Sequence, residues 1–184
     1  MVDIKKCRMT YYPSQVLAAT AKPVEKIDDD IRQLVDRMIG IMIEKKGVGL
    51  AAPQAGIPLR LFIISLNGTK ENLKVFINPT VTTSGEIVAN EEGCLSVPGV
   101  YTKIRRSKTA AVTATGLDGK EFTENADGLY ARALQHEFDH IEGTTIVNRM
   151  THVAKIAHRK KIKKLNKLNI PVSAQICKNE LCAY

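Results

Sequence analysis

Gln135-His136-Glu137-Phe138-Asp139-His140 is the stretch on which the reading of this chain turns. An α-helix advances about 3.6 residues per turn, so His136 and His140 stand one turn apart on one face. Two imidazoles so placed can hold one divalent metal, and Glu137 beside them can reach a water on it as general base. The His-Glu-x-x-His pattern alone favours a metal but carries a false-positive risk, because a lone histidine at helical spacing is more often a packed or solvated residue than a ligand. Its surroundings strengthen it. Asn125 or Asp127 can cap the start of a helix, and Gly143 stands where a left-handed residue would stop it. Leu129, Ala133, His136, Glu137 and His140 recur at helical steps, which predicts that they share the inward stripe. Imidazoles and a carboxylate on a buried stripe are costly unless they bind something.

Working outward, Asp28 to Glu44 reads as an amphipathic helix. Its acidic start suits the helix dipole, Ile31, Leu34, Val35, Met38, Ile41 and Met42 form an apolar stripe, and Gly47 ends it. The chain before it, through residue 26, reads as an irregular arm broken by Pro13 and Pro23. Leu59 to Ser65 and Lys74 to Val81 read as strands around an Asn67-Gly68 turn. Gly85 to Asn90 is a further candidate, and Thr109 to Thr115 with Lys120 to Thr123 flank Leu117-Asp118-Gly119 as a hairpin. Strands in the middle with a helix on either side predict an α+β fold with antiparallel pairing.

Two other stretches carry chemical signals. Gly47-Val48-Gly49-Leu50-Ala51-Ala52-Pro53-Gln54 superficially matches a relaxed dinucleotide fingerprint. A helix precedes it and Pro53 interrupts what should be a helix start, so that reading fails. What remains is a backbone that can approach a ligand closely, with Gln54 offering an amide donor. In Glu91-Glu92-Gly93-Cys94-Leu95-Ser96, a Cys94 thiolate would complete a Cys-His-His set with a fourth position left for water. By itself Cys94 reads as a small buried core residue. Beside the histidine pair it reads as a ligand.

Length and composition bound the rest. With 184 residues, 44% of them hydrophobic, the chain can bury one sizeable core. Residues 1–170 read as a single domain and 171–184 as a tail expected to be disordered. No apolar run long enough to span a bilayer occurs, so no membrane partner is expected. The first ten residues lack a signal-peptide core. A reducing cytoplasm is therefore expected, with Cys7, Cys177 and Cys182 as incidental thiols. The net charge of +8 is concentrated between Lys155 and Lys167. Such a run is usually a solvated helix face, though its density also suits an RNA or ribosome surface.

In order and spacing, the three stretches resemble those of peptide deformylases, the metal hydrolases that remove the formyl group from formyl-methionyl nascent chains. The similarity runs from about Ile4 to Arg149. The resemblance implies antiparallel sheets packed around the His-Glu-x-x-His helix, with an N-terminal helix and a basic C-terminal helix at about 153–168. It implies Cys94, His136 and His140 as metal ligands and attack by metal-bound hydroxide with Glu137 as general acid/base. Gln54 and the Leu95 N–H would form the oxyanion site. On the substrate side it points to Gly49, which would pair by its backbone with the peptide, and to Val48 and Ala133 as walls for the methionine. Glu92 would be a supporting carboxylate paired with Arg105 or Arg106. Tyr101 stands where some relatives carry arginine, which leaves preference beyond methionine open. The implied ion is Fe(II) in cells, with Zn, Ni or Co acceptable to the same ligands. The basic helix would touch the ribosome. Two rivals stand beside this reading: a zinc metalloprotease, which needs a downstream His or Glu as third ligand, and a non-catalytic ribosome- or RNA-associated basic protein.

Overall fold

The computed structural model describes residues 7–169, so the predicted tail, Cys177 and Cys182 lie outside the described residues. Helix α1 spans Asp29–Glu44, and the Oδ1 of Asp28 accepts from the Ile31 N–H at 3.2 Å, capping its first turn. Gly47 is not what ends it. The Gly47 N–H donates to Met42 O at 2.9 Å and the Lys46 N–H to Ile43 O at 3.0 Å, a Schellman closure. The left-handed residue of that closure is Lys46, with φ of 55°.

Five antiparallel strands follow in meander order: β1 Gly49–Ala51, β2 Leu61–Ile64, β3 Lys74–Glu92, β4 Thr102–Thr115 and β5 Glu121–Asp127. The two segments predicted at Lys74 to Val81 and Gly85 to Asn90 are one strand, carried through by register shifts near Ile77 and near Ser84. Gly85 sits at the second shift with φ of 79°. A bulge absorbs the residue that, in sequence, looks like a strand end. The hairpin at Leu117-Asp118-Gly119 is present, closed by the Gly116 N–H donating to Lys120 O at 2.9 Å.

All four residues of β2 are buried because the sheet is covered on both faces here. Leu61 and Ile63 join Leu34, Met38 and Met42 of α1, whereas Phe62 and Ile64 join Ala131, Leu134 and Ile141. The latter three belong to α2, Gly128–Ile141, which follows β5 directly. Cutting Met38 to alanine in the α1 layer should cost about 2–5 kcal/mol. A third cluster gathers Val97, Val100 and Ile104 with Ile146 and Val147 of α3 (Ile146–Arg149). The basic segment is helical as α4, His152–Leu165, and among its residues only Leu165 is buried.

The N-terminal arm is irregular but docked. Thr10 donates its N–H to Gln54 O at 2.8 Å and Tyr12 its N–H to Ser96 O at 2.9 Å. It thus ties the segment after β1 to the loop after β3. No described helix is long and apolar enough to cross a membrane.

Candidate metal centre

Asp127 takes the N-cap position of helix α2, but its side chain makes no capping hydrogen bond, and Asn125, the other cap candidate, lies two residues earlier in β5. Gly143 follows the helix with φ of 71°, and a side chain there would run into the Ala18 carbonyl. The predicted stripe holds for Ala133, Glu137 and His140, which are buried, and nearly so for His136. Leu129 departs from it at 47% exposure and lines an open cleft instead.

Gln135 fastens the helix to the sheet. Its Oε1 accepts from the Ser107 N–H at 3.1 Å and its Nε2 donates to Ser107 O at 2.9 Å. One side-chain amide satisfies both backbone groups of a β4 residue, which holds against the sheet the helix that carries His136 and His140.

Those side chains meet Cys94. Ligand atoms of Cys94, His136 and His140 lie within 4.8 Å of one another, close enough to hold one metal ion. Cys94 Sγ stands 3.2 Å from His140 Nε2. Thiolate and imidazole ligands of one tetrahedral ion are roughly 3.5 Å apart, given bonds of about 2.3 and 2.0 Å, so this edge fits. His136 turns Nδ1 to Glu92 Oε2 at 3.1 Å, which leaves Nε2 for an ion. One sulfur and two ring nitrogens suit Zn, Fe(II), Ni or Co and leave a further position open.

Behind the donors runs a chain of charges. Arg106 holds both Glu92 oxygens, at 2.8 and 3.1 Å, and reaches Asp139 Oδ2 at 2.8 Å. Arg149 closes on the same carboxylate, with its Nε 3.0 Å from Oδ2. Of the two arginines considered for Glu92, it is Arg106 that pairs; Arg105 is exposed. Burial works to raise the Glu92 pKa, but the hydrogen bonds from His136 and Arg106 outweigh it and leave it lowered. For His136, burial opposes the charged form, yet hydrogen bonds with Cys94 and Glu92 raise its pKa well above the usual value. Burial, then the charge of His136, drives His140 the other way, well below it. The two imidazoles are thus made unequal by their partners.

Glu137 is buried, with Oε2 bonded to nothing among the described residues. Loss of water pushes its carboxyl up to about 7. Its other oxygen lies against Gly49, where an added Cβ would stand 2.5 Å away. Only glycine leaves that carboxylate in place. Gln54 is buried, accepts the Ala51 N–H at 2.7 Å and directs Nε2 toward Cys94 Sγ at 3.5 Å. The Leu95 N–H is taken by no other described group.

A cleft of about 600 Å³ opens over these atoms. Val48, Gly49, Leu95, Tyr101 and Ala133 line it. Val48 and Tyr101 are exposed at its mouth and Ala133 is buried in its wall. Tyr101 lies over Gly93, whose missing side chain makes room for the ring. Glu92 borders the cleft but is held by His136 and Arg106, so it braces the ligands more than it faces a guest. Asp139 and Arg149 were not singled out from sequence. Asp139 lies four residues after Gln135, at inward spacing, and that was its available signal.

Comparison with known proteins agrees with this geometry. A family model described as polypeptide deformylase matches residues 6–155. A peptide deformylase of Chromobacterium violaceum is 40% identical over 160 residues, covering 87% of this chain and 96% of that one. One from Thermodesulfovibrio yellowstonii is 39% identical over 165 residues, covering 89% and 97%. The crystal structure of a Legionella pneumophila peptide deformylase superposes with a TM-score of 0.83 at 38% identity, covering 88% of this chain and 95% of that one. The metalloprotease alternative is not favoured: the third group able to join the two histidines is Cys94, and Glu142 is paired with Arg60 at 2.6 Å. The non-catalytic alternative leaves the whole constellation without a purpose.

Proposed function

The chain belongs to the polypeptide deformylase family, and on that premise we propose how its own residues divide the work. The reaction is metal-dependent removal of the N-terminal formyl group from formyl-methionyl nascent polypeptides, with release of formate. A divalent ion held by Cys94, His136 and His140 supplies Lewis acidity toward the formyl oxygen and lowers the pKa of a water. Glu137 takes the proton of the attacking water on its free Oε2 and returns it to the departing amine. Gln54 Nε2 and the Leu95 N–H donate to the oxygen on which charge develops; such donors contribute about 2.7–4 kcal/mol each. Gly49 pairs with the peptide backbone, and Val48 and Ala133 wall the methionine side chain. Glu92 holds His136 in the tautomer that presents Nε2. The observation that carries this reading is the unbonded oxygen of Glu137 beside three converging donors in one cleft.

Residues 1–170 act in this reading as one catalytic domain. The ion is Fe(II) in cells, and the Cys94 thiolate makes the site sensitive to oxygen and peroxide. Activity should fall in air and return with added Fe(II); indifference to air would point to Zn. The protein works in the cytoplasm, where formylated chains are made. The cations of α4, among them Lys155, Arg159, Lys160, Lys163 and Lys164, meet the ribosome through phosphate contacts. Co-sedimentation that weakens steeply with salt is the expected signature.

The deciding assay is formate release from a formyl-Met peptide by protein prepared anaerobically with Fe(II), next to Glu137→Ala. Release that is lost in the variant, with the ion retained, is expected. Equal release by both proteins would remove Glu137 from the chemistry.

A further inference from the structure

The rim of the cleft carries more positive charge than the chemistry uses. Lys45, Lys46 and Arg132 all line it. Lys45 is matched by Glu44 at 2.9 Å, but Lys46 and Arg132 bond to no described residue. Arg132 is half-buried, one helical turn before His136 on the same face of α2. A guanidinium that has surrendered much of its water without a partner is costly unless something else meets it. Lys46 occupies the left-handed position that closes α1, where glycine or asparagine would be less strained. A lysine held there is exposed and lines the cleft.

The carboxylates on the same cleft do not balance these charges. Glu92 is taken by Arg106 and His136, and Glu137 serves the reaction. Glu91 also lines the cleft and makes no ion pair among the described residues, so one carboxylate stands against the two cations. The surplus therefore faces whatever enters the cleft. We propose that Lys46 and Arg132 make this enzyme favour formyl-methionyl chains that carry aspartate or glutamate among the first residues after the methionine. The proposal rests on the deformylase reading and adds a charge preference to it. A carboxylate on the incoming chain supplies what the two cations lack, and its attraction is felt at the rim, where salt screens it.

The test compares kcat/KM for formyl-Met-Ala-Asp and formyl-Met-Ala-Asn peptides, which differ in charge but hardly in shape, in the Fe(II) enzyme. An Asp-over-Asn ratio of roughly 3- to 10-fold is expected at low ionic strength, collapsing toward one at high salt. Lys46→Asn, which suits the left-handed backbone, and Arg132→Gln should each lower the ratio, and the pair should abolish it. Because the ratio is taken within each protein, a general loss of activity in a variant does not enter. A wild-type ratio of one, or a ratio that survives the double substitution, overturns the proposal. Binding of the same two peptides, labelled, to the metal-loaded Glu137→Gln protein by fluorescence anisotropy separates the two readings. Preferential binding of the aspartate peptide without turnover in the parent enzyme would sink the deformylase assignment alone, and equal binding would sink the rim.

Discussion

Helices α2 and α4 are each 14 residues long, yet they use charge in opposite ways. In α2 the inward polar side chains are held by named partners, Gln135 by Ser107, His136 by Glu92 and Asp139 by two arginines, and what is left over, Arg132 and one oxygen of Glu137, faces the cleft. In α4 the cations point outward and only Leu165 is buried. A charge inside the protein must be accounted for by named partners, whereas a charge outside needs none. The first kind of helix therefore states its task in its own structure, and the second leaves it to a partner.

The comparison can be broken at its strongest point. Arg106→Met leaves the Glu92 and Asp139 carboxylates buried without their shared cation, and stability should fall by about 3–5 kcal/mol. Urea denaturation of the two proteins measures it; a loss under about 1 kcal/mol would mean the chain of charges is not strained by losing a member.

A second probe concerns Glu137, the one α2 carboxylate without a cation. Its pKa in the folded, chelator-treated protein is about 7, against 4.5 for an ordinary glutamate. A carboxyl raised on folding holds its proton longer in the native state. The native state therefore loses stability as pH climbs from about 4.5 past 7, and the deficit is absent below that range. Glu137→Gln removes the titration, so the metal-free variant should match the parent near pH 4 and exceed it by about 3 kcal/mol at pH 8. Parallel unfolding curves at the two pH values check this, and a difference that does not grow with pH would refute it.

Smaller still is the expected effect of Gly49→Ala on folding. The new methyl must displace the Glu137 carboxylate, and a shift of about 1 Å in a reacting group can cost about 100-fold in rate. We expect kcat to fall on that scale while the thermal midpoint moves little. At the far end, Lys160→Gln with Lys164→Gln on α4 should change stability by less than about 0.5 kcal/mol. A large loss there would show that α4 is anchored by its cations after all.

Much of α2 was legible in sequence because its spacing is local. His136, Glu137, His140 and Ala133 are set by the helical repeat, and Cys94 and Gln54 by short stretches of distinctive composition. The antiparallel middle was legible as well. What could not be read depends on distant residues. Strand β1 is three residues long and carries no alternation; only its pairing with β2 makes it a strand. β4 begins at Thr102, seven residues before the predicted start, because Lys103, Arg105 and Arg106 look like a solvated run. Arg106 is buried only because Glu92 and Asp139, far away in the chain, receive it. Lys46 reads as an ordinary exposed lysine until the backbone closure around it is known.

The docked arm gives the protein an order of assembly. Thr10 and Tyr12 come well before their partners Gln54 and Ser96 in the sequence. Those contacts have high sequence separation, so loop-closure entropy must be met before they form. The arm fastens the two loops that carry Gln54 and Cys94, and α2, which follows both in the sequence, brings the histidines after them. A partly made copy of this enzyme therefore has no assembled site. Activity switches on only once α2 has been made and has docked.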